Sequence, residues 1–192
     1  MKIGVVSDTH GFFDPRLMEL LEGANVILHG GDVDSQPVLD QLRQVAPVYA
    51  VRGNVDSSAL ALPPSLIRRF DGVQFEMQHI LPVRQSDLEQ WANDSMPSRG
   101  QTAKRDSFLK GFDPVTRVVV FGHSHEPCLV ILGERLFCNP GSAGKKRFSL
   151  PRCCGLLETS PGGIAATIKL LEHYNRELPT DIQLDLHPSR PR

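Results

Sequence analysis

Short β-branched apolar runs alternate with amphipathic stretches through the first third of the chain: Lys2 to Val6, Pro15 to Leu21, Asn25 to Leu28, Pro37 to Val45 and Val48 to Val51. Brief apolar runs bounded by turn residues fit buried strands, and apolar positions at helical spacing fit the helices that cover them. The order predicts βαβαβ, and so parallel strands with crossover helices. Open sheets of this kind place ligands beyond the carboxyl ends of their strands. Those exits read Ser7-Asp8-Thr9-His10-Gly11, His29-Gly30-Gly31-Asp32 and Arg52-Gly53-Asn54-Val55-Asp56. Each is a glycine-bearing turn with carboxylate, amide or imidazole groups.

The second half changes character. Short apolar runs at Leu66 to Phe70, Val73 to Gln78, Val118 to Phe121, Cys128 to Leu132, Arg135 to Phe137, Cys154 to Glu158 and Ile164 to Leu170 are punctuated by Asp71-Gly72, Gly133-Glu134 and Pro161-Gly162-Gly163. They predict a second, largely antiparallel set of strands. Helical periodicity is expected at Ser86 to Asn93 and Ala103 to Lys110, around a loop from Ser95 to Gly100. Trp91 and Met96 read as packing residues of a surface helix, with lining a site as the alternative. The stretch from Pro179 to Arg192 carries three prolines and little apolar content, which predicts an extended tail.

A chain of 192 residues fits one domain, since domains usually span about 100–200 residues. The expected division is a domain over 1–178, with 81–111 as a cap or insertion, and the tail over 179–192. Lys plus Arg (21) and Asp plus Glu (22) sum to a net charge of −1, so bulk electrostatics point to no polyanionic partner. With two Tyr and one Trp to stack bases, nucleic acid is not an expected partner. Lys145-Lys146-Arg147 reads as a solvated turn. No apolar run approaches the roughly 18 residues that span a bilayer, so no membrane partner and a cytoplasmic location are expected. Cys128, Cys138, Cys153 and Cys154 fit no C-x-x-C spacing and read as reduced, buried small hydrophobes.

Chemistry concentrates at the strand exits. In Gly122-His123-Ser124-His125, two residues two apart point the same way on extended backbone, so His123 and His125 can face one cavity. An H-x-H pair alone is a weak signal. Asp8, His10, Asp32, Asn54 and His79 also stand at or just past predicted strand ends, which makes seven donors in all. Imidazoles, carboxylates and an amide oxygen form a mixed N/O set suited to Mn, Fe, Co, Ni or Zn rather than Ca or Mg. Seven donors exceed the needs of one ion and fill two sites, with one carboxylate shared and water completing the shells.

In chain order, Asp8/His10, Gly31/Asp32, Gly53/Asn54/Asp56, His79 and Gly122/His123/His125 resemble the motifs of the calcineurin-like metallophosphoesterases, and Asn139-Pro140-Gly141-Ser142 is similar to their small bacterial and archaeal phosphodiesterase branch. The resemblance runs from Met1 to about Leu171. It implies a four-layer α-β-β-α sandwich of two mixed β-sheets flanked by helices. It implies that Asp8, His10, Asp32 and His125 hold one divalent ion and Asp32, Asn54, His79 and His123 the other, Asp32 bridging; manganese is the first expectation. The implied activity is hydrolysis of small-molecule or nucleotide phosphodiesters by a metal-bridging hydroxide, with Asn54 and Gly53 near the phosphate. A homo-oligomer is also implied.

Two departures bear on that expectation. Val55 stands where larger phosphatases of the superfamily carry a histidine for the leaving group, which favours diesters over monoesters and phosphoproteins. At His79-Ile80-Leu81 the branch usually reads His-Gly-His, so a second histidine is missing. The alternative to an enzyme is a protein-interaction scaffold, because the superfamily includes a trafficking-complex subunit that has lost ligand residues. Here all seven donors are present. Asp56 and His29 read first as a turn-capping carboxylate and a buried imidazole, and second as outer-shell catalytic groups. Glycines beside the donors read equally as ordinary turn glycines. His173 and His187 have no expected role.

Overall fold

The computed structural model describes residues 1–147, 149–173 and 181–185. Two sheets face each other. The first has the order β11-β10-β9-β1-β2-β3, where β1 is Lys2–Val6, β2 Val26–His29, β3 Val48–Ala50, β9 Cys153–Ser160, β10 Gly163–Leu170 and β11 Asp181–Asp185. The second runs β4-β5-β6-β8-β7, where β4 is Ser65–Phe70, β5 Val73–Gln78, β6 Thr116–Val120, β7 Cys128–Leu132 and β8 Arg135–Asn139.

Alternation along each strand divides the apolar residues into layers. Ile3 and Val5 of β1 point into the space between the sheets, where they join Phe75, Met77, Val118, Val120 and Leu136 in the central core. Val6 and Ile27 point the other way, onto α1 (Arg16–Leu20) and α2 (Gln36–Arg43), beside Leu17, Leu39 and Leu42. Cys153 and Cys154 fall on opposite faces, one in each of these clusters. All four thiols are buried and free, and burial alone pushes that of Cys138 up to about 12.

α3 (Gln85–Asn93) and α4 (Arg99–Leu109) bury Leu88, Trp91 and Phe108 on the outer face of the second sheet, against Cys128, Val130 and Phe137. Residues 81–111 are therefore the fourth layer of the sandwich rather than a cap across the cleft. Trp91 packs against Phe108, and Met96 is fully in solvent. The result is an α-β-β-α arrangement of two mixed sheets.

Four boundaries and pairings depart from the sequence reading. β9, β10 and β11 add to the first sheet through β1, with Lys2 opposite Glu158, because the alternating apolar residues of β9 cover both the central core and the α1/α2 layer. The second sheet is mixed: β5–β6 and β6–β8 are parallel, β4–β5 and β7–β8 antiparallel. α4 starts at Arg99, inside the expected loop, because Ser98 caps it: its hydroxyl accepts from the Gln101 N–H, and the Gln101 side chain accepts from the Ser98 N–H. In the expected tail, Asp181–Asp185 pairs with β10 as an edge strand, and Leu184 is buried in the central core. The rest of 179–192, with His187, lies outside the described residues, and His173 is exposed.

Candidate metal centre

The carboxyl ends of β1, β2 and β3 in one sheet and of β5 and β6 in the other open on the same edge. The loops after β1 and β2 continue the ladder: the amides of Asp8, His10 and Gly11 donate to the carbonyls of Gly31, Asp32 and Val33 at 3.0, 3.0 and 2.9 Å. This pairing carries Asp8 and His10 over Asp32. From the second sheet, Gly122 donates its N–H to the His79 carbonyl at 3.0 Å, which sets the β5 and β6 exits side by side.

All seven expected donors meet there. His79 Nε2 lies 3.3 Å from Asp32 Oδ2, 3.9 Å from Asp8 Oδ1 and 3.2 Å from Asn54 Oδ1. His10 Nε2 is 3.1 Å from His125 Nε2 and 3.8 Å from Asp32 Oδ2, and His125 Nε2 is 3.3 Å from Asp8 Oδ1. His123 Nδ1 is 2.9 Å from Asn54 Oδ1. Two sets whose donor atoms all lie within 4.8 Å of one another emerge, Asp8/His10/His125 and Asp8/Asp32/His79. Asp8 and Asp32 each face histidines on both sides. Asp8, Asp32, His79 and His125 are buried, whereas Asn54 and His123 form the solvent-facing rim.

The backbone is bent to aim these groups. Asp8, His10, Asp32, His123 and His125 all have positive φ, 48° to 72°, a region non-glycine residues seldom adopt. Three glycines make room. A Cβ on Gly53 would run into the Asp32 carboxylate, on Gly122 into Ser7 and Asp8, and on Gly31 into the His79 ring, so these are more than ordinary turn residues.

Hydrogen bonds fix how the donors point. Gly30 C=O can only accept, so the 2.7 Å contact puts a proton on His79 Nδ1 and leaves Nε2 directed at the carboxylates and Asn54. A lone pair facing only acceptors fits a cation between them, or a second proton. Val55 N–H donates to Asp32 Oδ1 at 3.1 Å, which turns Oδ2 toward the histidines. Asp8 accepts from the His123 N–H at 3.2 Å. His125 Nδ1 finds no hydrogen-bond partner among the described residues.

The titration shifts of Asp32 and His10 suit metal ligation. Burial works against ionisation of Asp32, but the His79 hydrogen bond, the Val55 amide and the neighbouring imidazoles outweigh it and hold Asp32 at about 2. Burial lowers His10, helped by the charge of Arg147 and opposed by Asp32, and a neutral imidazole is the form that binds metal. Burial also lowers His79, but the Asp32 hydrogen bond and the Asp8 charge overcome it and leave the group raised.

Other residues singled out by the sequence take supporting places. Asp56 caps the third loop: its carboxylate accepts from the amides of Asp34 (2.6 Å) and Gly53 (2.7 Å). Gly53 is buried with its N–H taken by Asp56, so its amide is not free for phosphate, contrary to expectation; Asn54 is the exposed group. His29 is fully buried between Thr9 Oγ1 (3.0 Å) and the Gly31 amide (3.2 Å), and burial brings it down to about 4. Lys146 pairs with Glu172, and Lys145 lies over the Phe12 ring.

Sequence reading missed the props beneath the histidine loop. Asn139 donates to Gly122 C=O, Gln85 Oε1 and Ser124 Oγ at 3.1, 3.0 and 2.9 Å, and Ser124 also donates to Gln85 at 2.8 Å. Ser142 donates to Asp8 C=O at 2.9 Å. Only the Asn139-Pro140-Gly141-Ser142 motif hinted at them.

A four-layer sandwich with carboxylates and imidazoles gathered at its strand ends is the architecture of a metal-dependent phosphoesterase. The chain belongs to the calcineurin-like phosphoesterase superfamily, whose domain matches residues 1–162. A probable metallophosphoesterase of Methanocaldococcus jannaschii is 31% identical over 158 residues, covering 80% of this chain and 71% of that protein. The fold is also that of a wild-type Vps29 from Entamoeba histolytica solved with Zn²⁺, with a TM-score of 0.67, 18% identity, and 97% and 100% of the two chains covered. A structure described as a novel archaeal phosphodiesterase has a TM-score of 0.61 at 22% identity, covering 89% of this chain and 100% of that one.

Proposed function

We propose that the protein is a phosphodiesterase that uses two divalent ions to hydrolyse small-molecule or nucleotide phosphodiesters. The observation that carries this reading is the His79 ring: pinned by Gly30 at Nδ1, it presents Nε2 to Asp8, Asp32 and Asn54. Asp8, His10, Asp32 and His125 would hold one ion, and Asp32, Asn54, His79 and His123 the other. The mixed donor set suits Mn, Fe, Co, Ni and Zn alike, and the family resemblance puts manganese first. Bound ions supply Lewis acidity that brings the pKa of water toward neutrality and offsets charge on phosphate oxygens.

The chain's own groups do the rest. Val55 N–H and Asp56 hold the Asp32 carboxylate and the Asn54 loop in place, so that no reorganisation is needed when substrate arrives. Exposed Asn54 and His123 are the groups a phosphate meets first. Val55 offers no proton to a departing alkoxide, which favours esters whose alcohols leave readily. A cytoplasmic location belongs to the same reading; among the described residues no helix is long and apolar enough to cross a membrane.

The test is hydrolysis of an activated aryl phosphodiester by metal-stripped protein with and without Mn(II), with bound metal counted in the same sample. Turnover restored at two ions per chain is the expected result. Two bound ions without turnover would favour an interaction scaffold, and turnover of monoesters alone a phosphomonoesterase or protein phosphatase.

A further inference from the structure

The β5 exit alternates sharply at the metal-facing cluster. His79 is 3% exposed and turned to Asp32, whereas the next residue, Ile80, is 49% exposed. Ile80 lines a cavity of about 690 Å³ that runs from His123 along the segment leading into α3. His123 belongs both to this wall and to the metal-facing set, where its Nδ1 lies 2.9 Å from Asn54 Oδ1. The cavity therefore opens directly on the place where a phosphodiester would react. Its volume falls within the roughly 300–1,000 Å³ of small-molecule sites.

The lining has a definite chemistry. Ile80, Leu81, Pro82, Val83 and Phe121 make one apolar wall. Arg84 and Asp87 stand at the rim, the Asp87 carboxylate accepting from the Arg84 backbone N–H at 3.3 Å, and no ion pair of the Arg84 side chain forms among the described residues. The polar side is held in advance, because Ser124 and Asn139 both donate to Gln85. Glycerol-like or other hydroxyl-rich groups would leave the apolar wall unmatched. A flat, weakly polar ring would cover it while keeping its polar edge toward Arg84.

Building on the phosphodiesterase reading, we propose that this cavity seats the ester group that stays on phosphorus, and that this group is aromatic, a nucleobase or an aryl ring. Ile80 and Val83 are then determinants of substrate choice. Ile80 stands at the first position of the departure from His-Gly-His, in His79-Ile80-Leu81.

Three diesters that release the same p-nitrophenolate test the pocket without changing the leaving group: methyl, phenyl and thymidine-5′ p-nitrophenyl phosphate, with the Mn(II)-loaded full chain. The wild-type protein should favour the phenyl and thymidine esters over the methyl ester by about tenfold or more in kcat/KM, as burial of a ring allows. Ile80→Asp should bring that ratio to within about twofold of one with two ions still bound per chain. Val83→Phe, which fills the cavity farther from the ligands, should do the same if Ile80→Asp loses metal. As a binding readout, phenylphosphonate should compete better than methylphosphonate for wild type, and equally for the variants. Turnover of all three esters at equal kcat/KM, or a ratio unmoved in both variants, would overturn the aromatic pocket and leave the phosphodiesterase reading standing. Two bound ions with no diester turned over would overturn that reading and the pocket with it.

Discussion

Five of the seven donors occupy positive φ, and each such residue costs on the order of 1–3 kcal/mol unless its surroundings hold it there. Here the surroundings are specific: amide pairing between the first two loops, and glycines that let Asp32, Asp8 and His79 pass close to backbone. Gly53→Ala should therefore act on Asp32 rather than on its own turn. We expect a loss of about 1–3 kcal/mol in denaturant unfolding and a drop of about 10–100-fold in metal affinity by titration with Mn(II). Asp32→Ala should cut diester turnover by at least about 100-fold and lower bound metal. Retained activity with two ions would remove Asp32 from its shared position.

At the scale of elements, the site's first half was legible because each strand of the βαβαβ unit ends in its own glycine-bearing turn, so a local pattern locates Asp8, His10, Asp32 and Asn54. His123 and His125 were legible for the same reason, in the turn that opens with Gly122, and His79 from its place at the end of an apolar run. Gln85 and Asn139 were not: their roles arise from contacts across 54 positions, between a helix start and the end of β8, and no local spacing announces them. Sheet membership was hidden similarly, since β1 pairs with β9 through residues some 150 apart. Nor could composition place Asp181–Asp185, a short polar-edged strand with a single buried leucine. The Asn139 contacts predict that Asn139→Ala, by leaving the buried Gly141 N–H without its acceptor and Gly122 C=O and Gln85 with Ser124 as their remaining donor, will cost about 1–3 kcal/mol. It should also weaken Mn(II) binding through His123 and His125, whereas an unchanged affinity would show that the loop holds its shape unaided.

For the whole molecule, acid stability and metal content are separate levers. Asp14 is buried against Arg16 and Arg152, and the Arg16 hydrogen bonds, against the effect of burial, hold its carboxyl well below the usual range. Because the folded pKa lies below the unfolded value of about 3.9, the contribution is complete above that pH and is lost progressively as pH falls from there through the folded value. Asp14→Asn should thus lower the melting temperature at pH 7, and the gap to wild type should close progressively below about pH 4. A gap constant with pH would assign the effect to packing. Independently, Mn(II) at about 100 times its dissociation constant should stabilise metal-stripped protein by about 2.7 kcal/mol for each site it fills. For a chain of this size that is a rise of roughly 5–10 °C per filled site, checked by thermal unfolding with and without the ion.

The central position of β1 also sets a timetable. Among the described strands β1 is made before the others, yet in the finished sheet it is flanked by β2 and β9, and the Asp8 loop that follows it is braced by Ser142. Donors from residue 8 to residue 125 must be brought together, and long-range pairings of this kind form slowly because loop closure precedes reward. A nascent chain that has already exposed Asp8, His10, Asp32 and Asn54 still lacks the imidazoles of the second sheet. Gathering of the seven donors is thereby deferred until translation has passed His125, and bracing of the Asp8 loop until it has passed Ser142.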